Sequence, residues 1–331
     1  MMTVVATPGL ATVQDGGRTG AMRFGVGTAG AMDRLALEAG NLLLGNEPGA
    51  AGVEVPIFPF SVRFTADCAF ALTGADCGAR LAGRDVLPWS VARARDGEEL
   101  QLGLPRGEAG LRNSRAYLLL PGGADVPEVL GSRSTQIRGA FGGHEGRPLR
   151  AGDILRAADP ARAVPPGFGL VPPSLALPLA ADGLPALRVL PAAERDAFTP
   201  DSLAAFWASP WKITPQSDRY GYRLSGEGLS FVRPLEMLSH GIVPGVIQVP
   251  PGGQPIIQMS DAQPSGGYPK LGTVIGADLW RLGQHPPGSR IRFVETGWDE
   301  ALAALAALED WLASAGRAAA LWRARAAGVT R

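Results

Sequence analysis

Short apolar runs, broken at close intervals by turn-forming residues, set the pattern of the chain. Val53–Phe64, Cys68–Leu72, Ala116–Leu120, Leu187–Leu190, Val246–Val249, Ile256–Met259 and Ser289–Val294 are the clearest of these runs. Apolar runs bounded by Gly, Pro, Asn and Asp predict strands, and several are short enough to line a barrel interior. The 45 glycines and 29 prolines among 331 residues exclude long helices from most of the sequence.

Three segments follow a helical period instead. In Asp33–Leu44 the apolar positions Leu35, Ala36, Ala39, Leu42 and Leu43 share one face, and Gly45-Asn46 supplies a stop. This helix is expected to lid a barrel. A second begins at the capping residue Thr199, has Pro200 at its first position and Asp201 near the positive end of its dipole, and stops at Pro210. The last starts near Thr296 and presents Trp298, Leu302, Leu305, Leu308 and Trp311. Beyond Gly316 it continues as an Ala- and Arg-rich tail that either packs on the protein or frays.

A faint internal repeat divides the chain. QDGGRTG from Gln14 and QSDRYG from Gln216 are each followed by an apolar-Glu-apolar triplet, centred on Glu54 and Glu236, and each half closes on an alternating strand. The expected organisation is an N-terminal β-barrel unit over 1–163, a Pro-rich linker over 164–185, a second β-unit over 186–296 and a helical tail over 297–331. The fold class is mainly β, with two related β-units and a few peripheral helices.

Charge narrows the range of partners. The 31 basic residues balance the 31 acidic ones, and no block of like charge provides a nucleic-acid footprint. Two cysteines are too few for the disulfide framework of an exported protein, and neither a leader-like start nor a long apolar run occurs. A cytoplasmic protein that engages neither membrane nor nucleic acid is expected.

Familiar mechanistic signatures, among them the P-loop, H-E-x-x-H, paired C-x-x-C and G-x-S-x-G, are missing, and His144, His240 and His285 lack ligand spacing, so no metal is expected. Three Gly-rich turns, Gln14–Asp33, Gly131–Arg147 and Gln216–Gly226, each present Arg beside small polar residues. Exposed amides and a guanidinium fork suit an anionic oxygen. Equally, Arg18, Arg133 and Arg219 could tie loops to carbonyls or to Asp15, Asp33 and Asp218. The densest polar stretch, Val249–Gly288, crowds Gln258, Asp261, Gln263, Ser265, Tyr268 and Lys270 between apolar runs, which predicts a barrel rim. Glutamine can read an amide or lactam through both its atoms, Asp261 could position a proton or water, and Lys270 could neutralise a developing anion. The competing reading is a surface loop held by its own backbone bonds. Glu54 and Glu236 could form a carboxylate pair or simply hold arginines, and Cys77 reads as a packing residue.

These same stretches resemble the allophanate hydrolase subunit 2 family, the biotin-dependent carboxyltransferase-like proteins. The likeness runs from VQDGGRTG and Gly30–Asp33 through NLLLGN, AYLLLPGG, VLGSRST and GGHEGRPLRAGD to SDRYGYRLSG, SHGIVPGVIQVPPGGQPIIQMSDAQPSGGYPKLGTVIGADLW and PGSRIRF. The resemblance implies a cyclophilin-like β-barrel and a partner of the allophanate hydrolase subunit 1 type. Its 5-oxoprolinase branch implies that this chain, as the C subunit, works with separate A and B subunits to open 5-oxoproline to glutamate with ATP, which is bound in the complex and not necessarily by this chain. There the lactam oxygen is phosphorylated before water attacks. On this reading Asp261, Lys270 and Glu236 are candidate catalytic residues. Gln14, Asp15, Arg18, Asp33, Ser132, Arg133, Ser134, Arg219, Gln248, Gln258, Gln263, Ser265 and Tyr268 are candidate substrate contacts. SHGIVPG at Ser239 and the lack of a biotin-carrier lysine motif favour this branch over urea carboxylase, which would bring biotin and a urea-like amide. A non-enzymatic antagonist of a kinase inhibitor is the third reading. Pro264-Ser265 departs from the two threonines common in the family, which puts the hydroxyl role at that place in doubt.

Overall fold

A computed structural model describes residues 1–107, 113–233 and 237–329. The first half builds two antiparallel sheets. One has six strands in the order Ile154–Leu155, Met2–Ala6, Phe60–Phe64, Glu99–Leu102, Arg80–Leu81 and Arg84–Asp85; the other has five, Thr12–Gln14, Gly52–Val55, Ala116–Leu119, Cys68–Gly74 and Ser90–Ala94. Alternation along the strands places Val4, Val62, Phe64 and Leu100 of the first against Val53, Phe70, Leu72 and Leu118 of the second, forming one core.

The predicted strand Val53–Phe64 is two strands, Gly52–Val55 and Phe60–Phe64, in different sheets. Pro56 and Pro59 are the reason, because proline cannot donate to a ladder and so marks where the chain crosses over.

The opposite face of the five-stranded sheet carries Ala69, Ala71, Tyr117 and Leu119, and against it packs the helix Arg34–Leu44. Small residues let the helix come close: a Cβ on Gly40 would sit 2.4 Å from Leu119 Cδ2. Asp33 caps its start by accepting from Ala36 N at 2.8 Å, and Gly45 ends it in the left-handed region with φ 72°. It therefore covers a sheet face instead of lidding a barrel. Met32, just before it, is the residue that enters the barrel core.

The second half forms that barrel. Leu184–Pro191, Lys270–Val274, Val246–Gln248, Ile256–Gln258, Gly221–Ser225, Trp211–Ile213 and Arg290–Glu295 pair in sequence around the ring, and parallel pairing of Arg290–Glu295 with Leu184–Pro191 closes it at seven strands. Leu187, Tyr222, Leu224, Ile247, Ile257 and Phe293 fill its interior. The helix Pro200–Ala208, capped by Thr199 as expected, stacks Phe206 on Phe293 with ring centroids 4.7 Å apart.

The last helix, Trp298–Val329, is continuous through Gly316. Its tail packs. Trp322 stacks on Phe168 at 5.8 Å, and Arg323 Nη1 donates to Leu42 O at 2.6 Å and Leu43 O at 3.0 Å. No helix among the described residues is long and apolar enough to cross a membrane.

Candidate functional site

The first two Gly-rich turns are pinned together at Asp15. Its Oδ1 accepts from Gly17 N (2.8 Å), Ser132 Oγ (2.7 Å) and Ser134 Oγ (2.5 Å), and its Oδ2 accepts from Arg133 N (2.6 Å). Arg18 lies fully buried beside this knot, donating from Nε to Val129 O and from Nη2 to Ser134 O, with its guanidinium 4.9 Å from the Phe141 ring centre. Burial lowers its affinity for the proton, partly opposed by Asp15 and Asp261. Arg133 turns its side chain to Val126 O and Glu128, and Gln14 Nε2 bonds Thr12 Oγ1 and Thr135 O.

A buried ion network joins the two halves. Arg219 holds Asp261 with a two-pronged contact, Nε to Oδ2 at 3.0 Å and Nη2 to Oδ1 at 2.9 Å, and donates from Nη1 to Glu54 Oε1 at 2.6 Å. Glu54 Oε2 accepts from Met32 N at 2.8 Å and Tyr117 Oη at 2.7 Å. Burial opposes the Glu54 charge, yet Arg219, Arg115 and these hydrogen bonds outweigh it and hold the carboxyl below its ordinary range. Arg115 Nη1 donates to Tyr222 Oη at 3.0 Å and to Gly283 O, and Gln284 Nε2 donates to Asp33 Oδ2 at 2.7 Å. Arg219, Arg115, Glu54 and Asp261 each face an opposite charge, as burial demands, whereas Asp33 is held by hydrogen bonds alone.

A cleft lies next to this network, on the outer wall of the barrel. Ile247 and Ile257 point into the core, so their strand neighbours Gln248, Ile256 and Gln258 face outward. Together with Gln216, Asp218, Tyr220, Gly221, Arg223, Pro250, Gln263 and Tyr268 they line a cleft of about 370 Å³. Gln258 Nε2 donates to Gln248 Oε1 at 3.0 Å, and among the described residues the buried Gln248 Nε2 has no acceptor. Gly221 keeps the floor low, since a Cβ there would stand 3.0 Å from Ile256 Cγ2. A larger hollow of about 490 Å³ beside Phe141–Gly146 contains none of the expected site residues.

Of those expected residues, Gln248, Gln258, Gln263 and Tyr268 meet in the cleft. The rim expected for this polar stretch is thus a patch of outer barrel wall. Asp261 and Arg219 sit behind it, committed to each other. Lys270 Nζ turns away to Tyr268 O (3.3 Å) and Glu194 (3.5 Å), and Ser265 lies on a short exposed ribbon with Gly241 opposite. Asp15, Ser132, Ser134 and the Arg133 backbone form the knot, Gln14 bonds Thr12 and Thr135, and Asp33 caps its helix. Glu236 and Leu235 lie outside the described residues. Cys77 is buried and its thiol is pushed up to about 12, as suits a packing residue. Among the described residues no group of three or more His, Cys, Asp or Glu is placed to hold a metal.

Sequence reasoning passed over Arg223, Arg115, Tyr117 and Gln284. Arg223 was findable: in GYRLS the apolar Tyr222 and Leu224 flank it, and period two puts Arg223 on the face opposite the core. Gln284 carried no comparable signal, because it matters only through contacts with Asp33 and Arg115, far away in sequence.

The family described as carboxyltransferase domain, subdomain A and B, matches residues 24–295. The chain belongs to that family. Among its relatives, the C subunit of 5-oxoprolinase from Escherichia coli is 41% identical over 310 residues, covering 92% of this chain and 94% of that protein. Its namesake in Haemophilus influenzae is 41% identical over 301 residues, covering 91% and 93%. The crystal structure of the urea amidolyase of K. lactis superposes with a TM-score of 0.83 at 28% identity, over 94% of this chain but only 20% of that one. This carboxyltransferase-domain chain therefore matches a free-standing relative nearly end to end, and a small part of a larger one.

Proposed function

We propose that the chain is the C subunit of a 5-oxoprolinase complex, opening the lactam 5-oxoproline to glutamate at the expense of ATP. A B subunit of the allophanate hydrolase subunit 1 type and a separate A subunit complete the complex, in the cytoplasm. The observation that carries this reading is the 41% identity over 92% of the chain and 94% of the relative of that name.

The cleft supports it chemically. Its paired glutamines and tyrosines present donors and acceptors to a neutral amide, which a lactam is. A triphosphate needs several cations, and among the described residues the cleft wall has one, Arg223. Nucleotide accordingly lies outside this cleft, and the cleft's part is to bind and orient the lactam while water is held to the ring carbonyl. Arg219, Glu54 and Asp261 position the wall behind the glutamines. Biotin enters only on the urea carboxylase reading, to which the structural likeness to urea amidolyase gives some weight.

Purified subunits given ATP and 5-oxoproline, each omitted in turn, test the proposal. Glutamate release that requires this chain supports it. Release without this chain, or turnover of urea with carboxybiotin in its place, refutes it.

A further inference from the structure

We infer that Arg223 reads a carboxylate on the ligand of the glutamine-lined cleft, which makes that ligand a small amide or lactam bearing an acid group. Among the described residues Arg223 is the one cation lining the cleft. Tyr222 and Leu224 on either side of it are buried in the barrel, so the guanidinium stands on the outer wall. Among the described residues its side chain has no ion pair or hydrogen bond, and only its backbone is engaged, with Ser217 and Thr214. Asp218, the one carboxylate in the lining, accepts from Tyr220 N at 2.8 Å and Gly221 N at 3.2 Å and so shapes the turn. The nearby Arg138 is placed over the Tyr220 ring, 5.5 Å from its centre.

Strand register sets the spacing. Arg223 and Gln248 both pair with Ile256, one from each side, so the three residues lie abreast on adjacent strands. Neighbouring strands are about 4.8 Å apart, which separates the Arg and Gln backbones by roughly 10 Å. Two long side chains and a small molecule span that gap. The cleft then has an amide-reading pole at Gln248 and Gln258, an apolar floor at Ile256 for ring methylenes, and an acid-reading pole at Arg223. A guanidinium fork matches a carboxylate in two parallel bonds. The inference takes the lactam itself from the proposed function and adds the group that distinguishes an acidic lactam from a neutral one.

The test uses the assembled complex carrying wild-type or Arg223→Gln chain, titrated calorimetrically with 5-oxoproline and with 2-pyrrolidinone, the same ring without its carboxylate. Wild type should prefer 5-oxoproline. Arg223→Gln should weaken 5-oxoproline by roughly 10- to 100-fold while 2-pyrrolidinone stays within about twofold. Arg223→Lys should recover part of the loss, since it keeps the charge without the fork. No wild-type preference, an unchanged 5-oxoproline affinity in Arg223→Gln, or an equal loss for both ligands overturns the inference. Glutamate release separates the two readings: none from the wild-type complex sinks the proposed function, whereas normal release and unchanged KM in Arg223→Gln sinks the Arg223 assignment alone.

Discussion

Arg219 and Glu54 meet at 2.6 Å inside the molecule, the first from the barrel and the second from the five-stranded sheet. Asp261 completes the arrangement from the barrel side, so one guanidinium serves two buried carboxylates and fastens the two halves behind the cleft.

Removing that cation strips the buried Asp261 of its ion pair and leaves Glu54 with the more distant Arg115, at 3.7 Å. Arg219→Met should therefore lower the unfolding free energy by about 3–5 kcal/mol, the usual consequence of breaking a buried pair. Urea denaturation measures it. Loss of turnover in this variant accompanied by unchanged stability would instead make Arg219 a ligand contact.

Asp33 gives the fold a pH dependence. Burial pushes its carboxyl from 3.8 up to about 7, against hydrogen bonds from Gln284 and Ala36 that favour the charge. Since the folded value exceeds the unfolded one, the protonated group contributes stability fully below about pH 4, and that contribution fades as pH rises through about 7. Asp33→Ser keeps a capping oxygen and removes the titration. Wild-type stability relative to this variant should fall between about pH 4 and pH 8; a flat or rising difference contradicts the assignment.

Arg323 ties the tail down beside its aromatic contacts. Arg323 supplies donors to the last carbonyls of the helix Arg34–Leu44, where a cation also meets the negative end of the dipole. Arg323→Ala should cost about 1 kcal/mol and speed hydrogen exchange at residues 40–46 and along the tail. Unchanged exchange at both places would show the tail to be held by its aromatic contacts alone.

Much of this architecture is legible in the sequence for local reasons. The ends of Arg34–Leu44 and the start of Pro200–Ala208 are written in capping residues, and the strands in their apolar runs. What stays hidden is non-local. Nothing near Glu54 in sequence announces Arg219, and the alternation of Ile247-Gln248 or Ile257-Gln258 gives opposite faces without saying that two glutamine faces adjoin. The break at Pro56–Pro59 was visible as two prolines, but the change of sheet depends on partners about forty residues and more away. The anion site expected at three arginines illustrates the same limit. Each turn has its Arg, yet Arg219 spends its donors on Glu54, Asp261 and the Gly30 carbonyl from distant parts of the chain and Arg133 on nearby Val126 O and Glu128, while Arg223, in the same motif as Arg219, is the one that reaches the cleft.

If the glutamine cleft is the place where the lactam is held, turnover by the complex carrying Gln258→Met shows it most directly. Methionine fills a similar volume without the amide that bonds Gln248 and faces the cleft. The expected result is a fall in kcat/KM for 5-oxoproline of roughly 10-fold or more, with the complex still assembling and the unfolding free energy in urea lowered by no more than about 1–3 kcal/mol, the cost of the unpaired Gln248 oxygen. A wild-type kcat/KM in that variant would contradict lactam binding at this cleft.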